Sequence, residues 1–118
     1  MELAKLEKYK KEFKSFSNKI ESLQTYLKRV AERRLHLIRP DVVSQALHIS
    51  EFDAIFLLSL AEQENLLHRK FLVYTKTEHV QLGEFDDSAA IPSNIYDDYS
   101  GKEIYKDNFY VDIVFEVA

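Results

Sequence analysis

Apolar side chains recur through the first quarter of the chain at spacings that alternate between three and four residues. A stripe with this mean period of about 3.5 residues stays on one side of a helix only if the helix supercoils against a partner. No glycine or proline interrupts residues 2–34, so the pattern predicts one long helix with an apolar seam. The seam consists of Leu6, Tyr9, Phe13, Phe16, Ile20, Leu23, Leu27 and Val30.

This seam predicts an interface, because a lone helix cannot bury it. Bulky Tyr9, Phe13 and Phe16 do not suit a two-stranded parallel coiled coil, in which Lys5 would also face Lys10. An antiparallel pair, a larger bundle or a different partner protein fits better, and folding of the helix onto its own domain is the remaining alternative. We therefore expect the protein to assemble with itself, with a larger protein partner, or with both.

Two shorter helices are predicted after Pro40. The first covers residues 41–48, and the second begins after Ser50, a residue type that caps helix N-termini well. Asn65 is expected to end the second helix in the left-handed conformation. The second helix, residues 51–63, has a broad apolar face that we expect to be buried. Its members are Phe52, Ile55, Phe56, Leu58, Leu60 and Ala61.

Two predicted strands follow, at residues 71–74 and 78–82, with a polar turn between them. Helix, tight turn, helix and hairpin is the order of a winged helix-turn-helix. Residues 42–82, about a third of the chain, resemble that family in the spacing of their apolar positions. The resemblance implies a winged-helix domain with a small antiparallel sheet.

The charges in this region disfavour nucleic acid as a partner. Residues 41–68 contain no Lys or Arg, and the second helix starts with Glu51, Phe52 and Asp53. A recognition helix needs cations for phosphates and polar side chains for base edges. A protein-binding winged helix is therefore the preferred interpretation, and a small dimeric DNA-binding transcription regulator is the alternative.

The C-terminal third combines a predicted loop with a predicted strand. Residues 86–108 are acidic and loop-like, whereas apolar and other side chains alternate through residues 109–117. The strand is expected to join the two earlier strands in one antiparallel sheet. The predicted fold is thus α+β, with a coiled-coil helix at residues 1–34 and a winged-helix-like domain at residues 35–118.

Residues 91–104 have the sequence IPSNIYDDYSGKEI, which resembles a degenerate zinc knuckle of winged-helix modules in bacterial conflict and anti-phage defence systems. In this resemblance Asp97 and Ser100 stand where a cysteine pair stands, and Thr75 replaces the cysteine after the wing. The chain has no cysteine, so the usual four-coordinate zinc site cannot form. The resemblance implies that hydrogen bonds and tyrosine packing replace the metal. The tyrosines are Tyr96, Tyr99 and Tyr105.

Composition narrows the function further. The absence of cysteine fits a reducing cytoplasm, residues 1–5 show no secretory signal, and no apolar run is long enough to span a bilayer. The chain lacks phosphate loops, zinc-hydrolase spacings and nucleophile elbows. We therefore expect no enzyme activity, cofactor or metal. Tyr96, Tyr99 and Tyr105 form a candidate contact patch, because tyrosine is enriched at protein interfaces.

Charge divides between the two predicted parts. Residues 1–34 hold ten Lys or Arg and five Glu, a net charge of +5, whereas residues 35–118 hold six and 15, a net charge of −9. A basic arm joined to an acidic body can steer partners electrostatically. The sequence thus predicts a non-enzymatic, oligomerising adaptor, with anti-phage defence as the context that the resemblance implies.

Overall fold

A computed structural model describes all residues 1–118. Its mixture of helices and strands agrees with the predicted α+β class. The helices are α1 (Glu7–Glu12), α2 (Ser17–Glu32), α3 (Pro40–Leu47) and α4 (Glu51–Gln63). The strands are β1 (Leu37–Ile38), β2 (Leu67–Thr75), β3 (Gln81–Phe85), β4 (Asn94–Asp97), β5 (Lys102–Tyr105) and β6 (Phe109–Val117).

The chain divides into two compact units. Unit 1 comprises Met1–His68 and Phe115–Ala118, and unit 2 comprises Arg69–Val114. Charge differs between them: unit 1 holds eleven Lys or Arg and eleven Asp or Glu, whereas unit 2 holds five and nine. Unit 2 therefore carries the whole net charge of −4.

The N-terminal segment of unit 1 is a helical hairpin, not the continuous helix that the sequence pattern predicts. Helix α1 ends at Glu12. Phe13 follows it with a φ of −118° and a ψ of 71°, which are not helical, and a 3-10 turn then leads into α2. The side chain of Gln24 donates hydrogen bonds of 3.0 Å to the backbone oxygen of Leu3 and to Oε1 of Glu7. In a continuous helix, residues 3 and 24 would lie ~30 Å apart. The chain must therefore reverse between α1 and α2.

This reversal changes how the heptad stripe is used. Its two halves lie on helices that pack against each other within one chain, so the antiparallel pair that was one of the alternatives between chains is made inside the chain. Six seam residues are buried, at 0–4% exposure. The premise that the seam needs a second chain to cover it is therefore wrong. The buried seam residues are Leu6, Tyr9, Ile20, Leu23, Leu27 and Val30.

Residues 1–34 are not a separate arm, because their aromatic side chains pack on α4. Phe56 of α4 contacts Phe13 edge-to-face at 5.1 Å between ring centroids, and Phe16 at 5.4 Å. Phe13 and Phe16, the two remaining seam residues, are half-buried by this cluster. The alternative of a helix folded onto its own domain is thus what the structure contains.

Helices α3 and α4 follow the sequence prediction closely. Arg39 is extended before Pro40, and Ser50 caps α4 by accepting a hydrogen bond of 3.0 Å from the Asp53 amide. His48 and Asn65 are left-handed, with φ of 55° and 60°, and follow the last residues of the two helices. The chain direction turns by 106° between α3 and α4, within the range typical of a helix-turn-helix.

No single helix is both long and apolar enough to cross a bilayer. Only α3 and α4 taken together, across their bend, have the length and apolar composition of a membrane span.

The remaining part of unit 1 is a short strand pair. Strand β1 pairs antiparallel with the end of β6, with Leu37 opposite Glu116 and Ile38 opposite Phe115. The Ala118 amide donates a hydrogen bond of 3.1 Å to the backbone oxygen of Leu66. Ile38 and Phe115 are fully buried, so this pair adds apolar side chains to the core of unit 1.

Unit 2 is built on two small sheets. In the first, β2 lies between β6 and β3, and Phe71 pairs with Phe85 in an antiparallel register. The final strand therefore lies beside β2, as predicted. The second sheet is the antiparallel pair β4 and β5. Residues 86–108 were predicted to be loop-like, and this prediction is wrong for the two segments that form β4 and β5. Strands as short as four residues give little periodicity in the sequence.

Candidate functional site

The seam residues do not offer a free interface in this structure. Leu27 is fully buried, and Leu6, Ile20 and Leu23 are each 1% exposed. Side chains with this burial contribute to the core of unit 1, and a second chain could reach them only if the helical hairpin opened. The assignment of these residues to an oligomer interface therefore loses its physical basis.

The predicted tyrosine patch is different, because all three of its residues are exposed on one small element of unit 2. We call this element, residues 94–105, the tyrosine hairpin. Tyr96 is 55% exposed, Tyr99 is 79% exposed and Tyr105 is 61% exposed. The packing of these tyrosines in place of a metal, which the zinc-knuckle resemblance implied, is therefore wrong.

The strand register places two of the tyrosines on one face of the hairpin. Asn94 lies opposite Tyr105, and Tyr96 lies opposite Glu103. Side chains opposite each other in an antiparallel pair, or two apart in one strand, share a face. Tyr96 and Tyr105 therefore share the outer face, where Asn94 also donates a hydrogen bond of 2.8 Å to Glu103. Two exposed aromatic side chains thus lie on one face of the strand pair.

The turn of the hairpin explains the position of Tyr99. Asp97 Oδ1 accepts a hydrogen bond of 3.0 Å from the Tyr99 amide, and the Asp97 backbone oxygen accepts one of 2.8 Å from the Gly101 amide. Gly101 has a φ of 70°, which glycine adopts without the penalty of a side chain. The turn therefore projects Tyr99 from the tip of the hairpin.

Two residues that the resemblance aligned with metal ligands have another role. Asp97 and Thr75 are the buried polar residues of the chain, each 6% exposed. Thr75 Oγ1 accepts a hydrogen bond of 3.0 Å from the Val80 amide, while Ser100 is exposed. Both buried side chains thus fix turns by accepting backbone hydrogen bonds. No group of three or more His, Cys, Asp or Glu is placed to hold a metal ion.

A recess of about 210 Å³ opens beside the turn. We call it the hairpin recess. Its walls come from the turn and from the start of β3, and it is therefore contained within unit 2. Its lining residues are Val80, Gln81, Leu82, Tyr96, Asp97, Asp98 and Tyr99.

A larger groove of about 400 Å³ lies elsewhere in unit 2. Its apolar lining includes Phe71, Phe109 and Val111, and Lys106 is its single charged side chain. Sequence reasoning missed both depressions, because each joins residues from separate parts of the chain. For the larger groove, the alternating pattern of β6 was the only signal in the sequence, since Phe109 and Val111 share one face of that strand.

Unit 1 has its own exposed apolar side chains on α3 and α4. Phe52, in the first turn of α4, is 81% exposed, and Val42 of α3 is also exposed. The predicted burial of Phe52 is therefore wrong: it lies six residues before Leu58, which places it about 120° away around the helix from that buried position. Around these helix starts Glu51 is exposed, and Asp41 and Asp53 are half-buried.

Comparisons with protein-family models, with curated proteins and with solved structures find no match to this chain. The relationship to winged-helix and defence-system modules therefore stays a prediction.

Proposed function

We propose that this protein is a non-enzymatic protein-interaction module that binds its partner through the tyrosine hairpin. The observation that carries the proposal is the exposure of Tyr96, Tyr99 and Tyr105 together on residues 94–105. Tyrosine combines a large apolar ring with a hydroxyl and has few rotatable bonds. It therefore contributes a large contact area on binding and loses little conformational entropy. A strand pair with a hydrogen-bonded turn presents these rings in a preorganised form.

The proposal keeps the adaptor role expected from sequence but moves its contact surface. The surface is no longer the N-terminal seam, since that stripe is used inside the chain. Self-association through residues 1–34 therefore has no support from the packing. The anti-phage context rests on the resemblance of residues 91–104 alone and stays a prediction.

DNA binding is the alternative function, and the 106° turn between α3 and α4 favours it. The side chains at the start of α4 argue against it. Phe52 is exposed there beside Glu51 and Asp53, and none of these can contact a phosphate favourably. Fluorescence anisotropy with a random 30-base-pair duplex at low salt separates the protein-interaction function from DNA binding. We expect no binding of the duplex. Binding that weakens steeply with added salt would support the DNA-binding transcription regulator.

In-cell photo-crosslinking tests the proposed function directly. A benzophenone amino acid is placed at Tyr99 or Tyr105, and at exposed Glu78 of the same unit as a control. We expect one discrete adduct from each tyrosine position and none from Glu78. Equal labelling at all three positions, or no adduct at either tyrosine, would contradict the proposal.

Affinity for the identified and purified partner then provides a quantitative check. Replacing the three tyrosines together by serine should weaken binding by at least tenfold, because interface tyrosines are often hot spots. The melting temperature should change little, because all three side chains are exposed. A triple variant that binds as tightly as the wild type would overturn the assignment of the surface.

A further inference from the structure

We propose that the hairpin recess is a receptor for a cationic side chain, arginine or lysine, of a partner protein. This inference rests on the proposed function, because it names what the tyrosine hairpin recognises. Two tyrosines and two aspartates are among the residues that line the recess: Tyr96, Tyr99, Asp97 and Asp98. Cations bind favourably over the faces of tyrosine rings and to carboxylates, and a guanidinium group satisfies both kinds of contact.

The size of the recess fits a single side chain. At about 210 Å³, it is smaller than the 300–1,000 Å³ typical of small-molecule sites. Val80 and Leu82 supply an apolar part of its lining, which suits the methylene stem of arginine or lysine. The occupant therefore needs an apolar stem and a charged end.

Asp97 is the residue that points most clearly to a cation. It is 94% buried, and its Oδ1 is engaged by the Tyr99 amide. No hydrogen bond within the chain reaches its Oδ2. Its cross-strand neighbour, Lys102, makes no ion pair with it. A basic side chain entering the recess would therefore find a carboxylate oxygen free to accept a charge-assisted hydrogen bond.

The charge of unit 2 supports the same occupant. With nine acidic and five basic residues, unit 2 carries a net charge of −4, whereas unit 1 is neutral. This field attracts basic partners over distances of about a Debye length and repels acidic ones. The negative charge of unit 2 therefore favours a basic segment of another protein as the occupant of the recess.

Titration of the full chain with blocked tripeptides tests this inference. The probes are acetyl-Gly-Arg-Gly-amide, its lysine form, and its citrulline and norleucine forms, which lack the charge. Two-dimensional NMR should show saturable shifts confined to residues 80–82 and 96–99. We expect both cationic probes to bind at least tenfold more tightly than the neutral ones. Equal binding of charged and neutral probes, or shifts confined to the larger groove, would overturn the inference.

Matched variants separate the recess from the rest of the hairpin. Asp97→Asn keeps an acceptor for the Tyr99 amide and removes the charge. This variant should therefore fold normally and bind the arginine probe at least tenfold more weakly. Tyr99→Ala should also weaken binding of the arginine probe. Tyr105→Ala is the control, since Tyr105 lies outside the recess and its loss should leave probe binding unchanged. Unchanged binding by Asp97→Asn would overturn the inference.

The same variants distinguish this inference from the proposed function. If the Tyr105 crosslink forms normally and Asp97→Asn binds the partner as tightly as the wild type, the recess assignment fails and the interaction module stands. If no crosslink forms but the arginine probe binds at residues 96–99, the proposed function fails and the recess remains a cation site. Concentration-dependent self-association that Asp97→Asn abolishes would assign the recess to a second copy and overturn the partner-protein occupant.

Discussion

The hydroxyl of Tyr9 donates a hydrogen bond of 2.7 Å to Oε2 of Glu64, although the two residues are 55 positions apart in the chain. Lys8 contacts the other oxygen of the same carboxylate at 2.9 Å. Hydrogen bonds from Lys8 and Tyr9 lower the pKa of Glu64. This cluster fixes α1 on the end of α4, and it adds a polar link to the contacts of Phe13 and Phe16 with Phe56.

Removing the Tyr9 hydroxyl should destabilise unit 1. Tyr9→Phe keeps the buried ring and deletes the hydrogen bond, so we expect the free energy of unfolding to fall by about 1 kcal/mol. Urea denaturation measures the change. Tyr26→Phe is the matched control, because the Tyr26 hydroxyl makes no hydrogen bond within the chain, and it should cost less than Tyr9→Phe. Equal losses in the two variants would show that the bond to Glu64 contributes nothing.

The same tyrosine should make stability fall at alkaline pH. Burial, followed by the hydrogen bond to Glu64, raises the pKa of Tyr9 from 10.0 to about 12. A raised pKa means that folding favours the neutral phenol, so its contribution is complete below pH 10 and is lost as pH rises towards 12. Urea unfolding from pH 9 to 11.5 should show a downward slope that Tyr9→Phe reduces. Parallel curves for the two proteins would contradict this assignment.

The reversal of the chain near Phe13 can be measured as a distance. The protein has no cysteine, so Lys5→Cys and Thr25→Cys provide two unique labelling sites on exposed positions. In a continuous helix these sites would be ~30 Å apart. Spin-label spectroscopy should instead report a distance well below 20 Å. A distribution centred near 30 Å would restore the long helix.

Sequence patterns predict the local features of this fold and lose information where contacts join distant parts of the chain. Ser50, Asn65 and the final strand were predictable because a cap, a left-handed residue and a strand alternation are local signals. Six of the eight seam residues are buried, as an apolar stripe predicts. The helix that covers the seam was not predictable, because a period of 3.5 residues is the same whether the facing helix belongs to another chain or to the same one.

The candidate site shows the same limit. Tyr96, Tyr99 and Tyr105 were identified by residue type, and their exposure required the structure. Their grouping depends on the β4–β5 register, which four-residue strands do not encode in their periodicity. Asp97 drew attention through a resemblance to a metal-binding motif, whereas its position beside the hairpin recess depends on the approach of residues 80–82 from elsewhere in the chain.

The buried seam predicts a large loss of stability on truncation of Leu27. Its side chain is fully buried, so Leu27→Ala should lower the free energy of unfolding by about 2–5 kcal/mol. Leu35→Ala is the control, because Leu35 is exposed and its truncation should cost less than about 0.5 kcal/mol. Chemical denaturation at two protein concentrations measures both. A loss for Leu27→Ala that depends on protein concentration would indicate that the seam packs between chains.

Gly101 should determine whether the tyrosine hairpin keeps its shape. Its φ of 70° is unfavourable for residues with a side chain, so Gly101→Val should destabilise the turn by about 1–2 kcal/mol. Asparagine tolerates the left-handed region, and Gly101→Asn should therefore cost less. Amide hydrogen exchange across the β4–β5 ladder measures the local opening, with α4 as an internal reference.

The outcome also bears on recognition, since the turn places Tyr99 at the tip and Asp97 beside the hairpin recess. If the turn acts by preorganising these side chains, Gly101→Val should weaken the arginine probe while Gly101→Asn retains most of its binding. Faster exchange in β4 and β5 should accompany the loss, with exchange in α4 unchanged. Loss of protection throughout both units would show instead that the hairpin supports the global fold. In that case, weaker probe binding by this variant could not be attributed to the shape of the turn.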